Sequence, residues 1–165
     1  MITRTSKLLL VAAFGFLYAL VVFNNLTDFD SNFQFVQHVL SMDSTFPGNH
    51  GRWRAIPWTW AHYVFYLTII AWEIVTTILL LWSALRMAAA RLQSAAQFHR
   101  AKGMAVVALT LSMLMFLVAF LSVGAEWFLM WQSHIWNGQE AAFRMFALAG
   151  IVLIYLIQPD HETQP

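Results

Sequence analysis

WTWAHYVFYLTIIAWEIVTTILLLWSAL, residues 58–85, is a continuous apolar run in which Glu73 is the single formally charged residue. At 1.5 Å per residue it makes a helix of about 42 Å, more than the ~30 Å hydrocarbon core of a bilayer. Its reading as a membrane span decides the fold. Pro57, just ahead of it, suits the first turn of a helix, where a missing N–H costs nothing.

Three further runs match it. Residues 8–27 contain LLLVAAFGFLYALVVF and no charge, residues 103–130 are uncharged until Glu126, and AAFRMFALAGIVLIYLI, residues 141–157, carries only Arg144 before Gln158 and Pro159 end it. Arg4 and Lys7 ahead of the first run also suit a secretory signal peptide. The chain of 165 residues is 60% hydrophobic and 10% charged, against roughly 25% charged residues in soluble domains. Four spans consume most of it and leave no room within these residues for a separate soluble catalytic domain. The expected fold is all-α: one integral membrane domain over residues 1–165, a four-transmembrane-helix bundle with spans at about 8–27, 58–85, 103–130 and 141–157.

The loops set the orientation. Arg4, Lys7, Arg86, Arg91, Arg100 and Lys102 fall on one side, whereas Arg52 and Arg54 share the other with Asp28, Asp30 and Asp43. The excess of Lys and Arg marks the cytoplasmic face, so both termini are expected in the cytoplasm. Trp53, Trp58, Trp127, Trp131 and Trp136 then gather at the outer boundary as interfacial anchors. The outer loop, residues 28–57, contains SNFQFVQHVLSMD, which spaces Phe33, Val36, Val39 and Leu40 as one face of a helix, with Asp30 or Ser31 as N-cap. It is read as an interfacial helix, lying on the bilayer or capping the bundle.

A net charge of +1 and the lack of a basic stripe exclude nucleic acid as a partner. Without cysteine there is no disulfide, thiolate metal site or thiol relay. Glycine-rich phosphate loops, GxSxG, HExxH and CxxC are absent as well. No cofactor is named by the residues. The expected partners are the lipid bilayer and a membrane protein or a second copy of the chain.

Glu73 carries the largest cost, about 2.5–3.5 kcal/mol for an acid at mid-span on insertion scales. Counted from the cytoplasmic ends of their helices, at Arg86 and Ile157, Glu73 and Arg144 both lie about 20 Å up, so they are candidates for a buried ion pair. The alternatives are a carboxyl that carries its proton, or a proton or ion ligand beside a polar cavity. Near the outer boundary Asp28, His38, Asp43, His62 and Glu126 form a second polar layer. They supply imidazole and carboxylate groups of the kind divalent metals take, although no pair has a recognisable ligand spacing, and a hydrogen-bonding network is the alternative. Gly124 is read as a point of close helix approach, and Asn137–Gly138 as the turn into the last span.

NNLTDFDSNFQFVQHVLSMDSTFPGN, TIIAWE and VGAEWFLMWQSHIWNGQEAAFR resemble the signature blocks of bacterial predicted small integral membrane proteins grouped as domain of unknown function 2165. The resemblance covers nearly the whole chain and implies a four-span inner-membrane protein; it brings no activity, cofactor or catalytic residue. Two functions follow as expectations. One is a non-catalytic accessory or scaffold subunit of a larger membrane complex. The other is an outer-face polar site that binds a metal, proton or small anion. A quinone held near Trp127, Trp131 and His62 is a third.

Overall fold

Apolar side chains on every face force each of the long segments to satisfy its own backbone, and a helix does this without outside partners. The computed structural model describes residues 1–160. Helix α1 spans Ile2–Thr27, α2 Phe29–Ser41, α3 Thr59–Ala90, α4 Ala95–Ala101, α5 Gly103–Leu114 and α6 Gln139–Ile157. Beyond α5 the chain continues as a π-helical segment, Met115–Trp127, and short 3-10 turns occupy His50–Arg54 and Met130–Gln132. Four stretches are long and apolar enough to cross a membrane: Ile2–Thr27, Thr59–Ala90, Ala95–Trp127 and Gln139–Ile157.

The spans close in a ring. α1 packs on α3, α3 on α5, α5 on α6, and α6 returns to α1. Where α1 crosses α3 the helices are brought together by Gly15, at which a Cβ would lie 2.9 Å from Leu81 Cδ2 and 3.2 Å from Leu80 Cβ. Ala105 and Ala108 of α5 are fully buried in the same core as Val11, Tyr18, Leu80 and Met87. Small side chains of this kind let helix backbones approach where no hydrophobic drive separates protein from lipid.

α2 caps one end of this ring. Phe33, Val36, Val39 and Leu40 are all buried, against Tyr66, Ile70, Ala125, Phe128 and Met130. Its N-cap is Asp28, not Asp30 or Ser31, because α1 runs on through Thr27 and a single residue separates the two helices. α3 starts at Thr59 with Trp58 as N-cap, so Pro57 stands just outside its first turn.

The third span differs most from its expected course. It begins earlier, at Ala95, where Ser94 and Gln97 form a reciprocal capping box, and its second half adopts the wider π geometry. There the Phe128 N–H donates to the Val123 carbonyl at 2.9 Å and the Ser122 hydroxyl to the Leu117 carbonyl at 2.8 Å, both across five residues. Gly124 sits within that segment. A Cβ there would meet the Ala119 carbonyl of its own helix at 3.3 Å and the Met130 side chain at 3.7 Å, so its small size serves the chain reversal and not a crossing with another span. Gly138 makes room for Phe35, whose Cζ would lie 2.8 Å from an added Cβ.

The Gly15 contact is specific enough to test. Gly15→Ala displaces the half-exposed Leu81 side chain and crowds Leu80 Cβ only slightly, whereas the larger side chain of Gly15→Ile presses on buried Leu80 and is expected to cost about 1–3 kcal/mol more. Unfolding in mixed micelles measures both, and equal stability of the two variants would refute the close α1–α3 crossing.

Candidate functional site

Polar residues that recur every seven positions return to nearly the same face of a helix. Tyr18 and Asn25 do so on α1, and Tyr66 and Glu73 on α3. Because α1 packs on α3, the two polar stripes meet inside the bundle. Asn25 Nδ2 donates to Glu73 Oε2 at 2.6 Å. The Tyr66 hydroxyl donates toward the Asn25 backbone carbonyl and Oδ1 at 3.3 and 3.4 Å. Tyr18 donates to Ser112 Oγ at 2.6 Å, linking α1 to α5.

Glu73 is 5% exposed and Asn25 7%. The second carboxyl oxygen, Oε1, has no hydrogen-bond partner among the described residues. Both side chains line a cavity of about 240 Å³, together with Tyr18, Tyr66, Asn32 of α2 and Phe120 of the π segment. Thr76 and Thr77 turn away from this chemistry, since their hydroxyls donate to the Trp72 and Glu73 carbonyls of their own helix.

A second, larger cavity of about 440 Å³ adjoins it beneath α2, between α3 and the π segment. Its lining is almost wholly apolar, with Phe65, Trp72, Phe120 and Phe128 among the rings. Phe35, Val36, Ile69 and Phe120 belong to both cavities and form the partition between them. Trp72 donates its indole N–H to the Leu111 carbonyl at 3.1 Å, which fixes its ring between α3 and α5.

The expected Glu73–Arg144 pair is not made. Arg144 is exposed near the start of α6, and α6 packs on α5 and α1 while Glu73 looks to α1 from α3. Matching depths had placed the two at one level, but helix rotation and the ring order set them apart. At about 8 Å from the end of α6, Arg144 is within snorkelling reach of a headgroup.

The outer polar layer also divides. His38 Nδ1 lies 2.7 Å from Asp43 Oδ2, and the His38 ring stacks on Trp136 at 4.6 Å. His62 is buried and donates from Nε2 to the Ile56 carbonyl at 2.7 Å, tying the loop to α3. Asp28 accepts from the Ser31 hydroxyl at 2.9 Å. Glu126 is exposed and its backbone carbonyl accepts from Arg54. Among the described residues no three His, Asp or Glu side chains are placed to hold one metal ion, so these five residues do not converge. Trp127 and Trp131 are exposed, and neither they nor His62 line either cavity. Trp53 and Trp58 are exposed on the same rim.

The opposite end holds a cluster that loop charge counting overlooks. Lys7 and Lys102, both almost fully buried, close on the Asp160 carboxylate at 2.8 and 2.5 Å. Their ammonium groups also donate to the last carbonyls of the α6 segment, Lys7 to Gln158 at 2.6 Å and Lys102 to Leu156 at 2.9 Å. Burial alone would raise the Asp160 carboxyl, but hydrogen bonds and charge from Lys102 and Lys7 outweigh it and hold the group below its usual range. Arg4 reaches the Arg91 and Gln93 carbonyls at 3.2 and 2.6 Å, tying α1 to the turn after α3.

Against known proteins, the family model described as predicted small integral membrane protein (DUF2165) matches residues 3–159. No curated protein and no solved structure matches.

The lysine clamp makes a signed prediction. Asp160→Asn strands two buried ammonium groups and is expected to destabilise by about 3–5 kcal/mol at neutral pH. Because the folded-state value of Asp160 is depressed, its contribution is present above the ordinary aspartate range near 3.9 and is lost as pH falls through the folded value. Acid titration of stability should therefore show a drop below about pH 4 in the parent that is smaller in Asp160→Asn; equal drops would remove the clamp from the explanation.

Proposed function

The chain belongs to this family of predicted small integral membrane proteins, and on that premise we propose that it is a non-catalytic, multi-pass protein of the bacterial inner membrane whose bundle carries one intramembrane binding site, centred on Glu73. Both termini lie in the cytoplasm in this reading, supported by Arg4, Lys7, Arg86, Arg91, Arg100 and Lys102 at one end of the chain's spans.

One observation carries the site: a carboxyl at mid-span that has an amide for its only hydrogen-bond partner among the described residues and that lines a cavity. A merely structural acid would be expected to meet a cation or a filled hydrogen-bond shell, since an incompletely satisfied polar group in hydrocarbon is costly. Glu73 acts here as acceptor for a proton or for a donor group of the ligand. The exposed position of Arg144 removes the support for anion binding, and the dispersed outer residues give none to a metal.

Docking into a larger complex is compatible with this role, and the rim favours it. Trp53 is 75% exposed and meets Trp127 edge to face at 6.0 Å, with Arg54 over both rings at 5.8 and 5.4 Å. Such a rigid Trp/Arg patch is the composition found at the centre of interfaces. A stoichiometric co-purifying protein that is lost on Trp53→Ala would support docking; a protein that stays alone in mild detergent would count against it.

Glu73→Gln keeps an acceptor for Asn25 and is expected to preserve folding to within about 1 kcal/mol while abolishing proton exchange at the site. Infrared difference spectra of membranes stepped in pH should show a carboxyl band that vanishes in Glu73→Gln. No such band, or a variant that fails to fold, makes the residue structural. Topology is tested separately. The chain has no cysteine, so Gln34→Cys should react with an impermeant reagent in intact cells and Gln93→Cys only after lysis.

A further inference from the structure

The geometry points to a neutral amphiphile with a hydroxyl head as the ligand of the Glu73 site, its head in the polar cavity and its ring and chain in the apolar chamber beneath α2. This rests on the reading of Glu73 as a binding residue. Four observations carry it.

The two cavities share four lining residues, Phe35, Val36, Ile69 and Phe120. Phe35 and Phe120, two of the partition residues, face each other at 6.4 Å as a loosely stacked pair, and both are only half-buried. In this proposal the rings of Phe35 and Phe120 rotate to join the chamber of 440 Å³ to the one of 240 Å³, within the ~300–1,000 Å³ span of small-molecule sites.

The chemistry is graded along that path. The larger space is lined by hydrocarbon and aromatic rings, while the lining of the smaller includes the Glu73 carboxyl, the Tyr66 hydroxyl and the amides of Asn25 and Asn32. No lysine or arginine lines either space. Nothing in either space offsets the charge of a phosphate or fatty-acid headgroup, whereas a carboxyl oxygen accepts from a hydroxyl.

The entrance faces the right solvent. Val64 and Phe65 of α3 and Val118 of the π segment line the chamber and are themselves exposed, on a flank that lipid covers in an integral membrane protein. A lipid-soluble molecule enters there without crossing water.

The chamber is also framed by irregular backbone. Its wall is the π segment, a geometry found often at functional sites. Leu129, between two chamber residues Phe128 and Met130, holds a left-handed φ of 55° that a branched side chain adopts at a cost.

The test uses the full chain in nanodiscs of neutral phospholipid, with a decyl-chain hydroquinone and a short prenol as probes, and a fatty acid as the anionic control. Saturable binding of one probe per chain is expected, with the hydroquinone favoured if the aromatic lining reads a ring and the prenol if the hydroxyl and chain suffice. Ala119→Phe, at a position that lines the larger chamber and not the Glu73 cavity, should weaken binding at least tenfold while leaving the Glu73 infrared band in place. Glu73→Gln should weaken it about tenfold, because the remaining amide oxygen stays with Asn25 and the second acceptor is replaced by an NH2 donor. The proposal is overturned by non-saturable partition, by binding that ignores both substitutions, or by a fatty acid that binds as tightly. If the pH-dependent carboxyl band persists while neither probe binds, the ligand class is wrong and the Glu73 site stands; if the band is missing too, the site itself falls.

Discussion

A carboxyl group buried at the middle of a membrane span cannot be left to hydrocarbon, and the hydrogen bond from Asn25 to Glu73 is what answers this constraint. The bond joins the last turns of α1 to the middle of α3. It therefore fixes the rotation of both helices about their axes, brings Tyr18 and Tyr66 to the same interior, and leaves α2, one residue beyond α1, positioned over the end of the bundle. Deep apolar packing then follows the same alignment, through Gly15 against α3 and the alanines of α5.

The two ends of the molecule are built on different physics. At the capped end, aromatic and aliphatic side chains of α2 cover the ring, and two cavities lie beneath it, each with the π segment in its wall. At the other end, charge does the joining. Lys7 and Lys102 converge on Asp160 and on the open carbonyls of α6, which satisfies a helix terminus and attaches three chain segments to one carboxylate. Buried ion pairs of this sort add little net stability relative to apolar packing but are costly to break from one side. They suit a role in specifying one arrangement of the termini.

Much of the fold was legible in composition and run length alone. The four spans, the helix between the first two, and its buried face of Phe33, Val36, Val39 and Leu40 follow from hydropathy and helical spacing. Glu73 stood out because it is an acid in an apolar run. Its partner did not, because depth along a helix fixes one coordinate and leaves rotation and neighbour order open; Arg144 matched the depth and faces elsewhere. The seven-residue spacings Tyr18–Asn25 and Tyr66–Glu73 were a usable signal for the correct pairing. Nothing local in the sequence marks the π segment and its five-residue hydrogen bonds. The buried lysines were hidden by the habit of assigning every cation near a span to the headgroups.

The most direct measurement is a pair of double-mutant cycles on unfolding free energy in a bilayer, one crossing Asn25→Ala with Glu73→Ala and the other crossing Arg144→Ala with Glu73→Ala. A coupling of about 1–3 kcal/mol in the first cycle and none above about 0.5 kcal/mol in the second is the predicted result. Coupling to Arg144 with none to Asn25 would contradict it, and would turn the Glu73 pocket back into a structural ion pair.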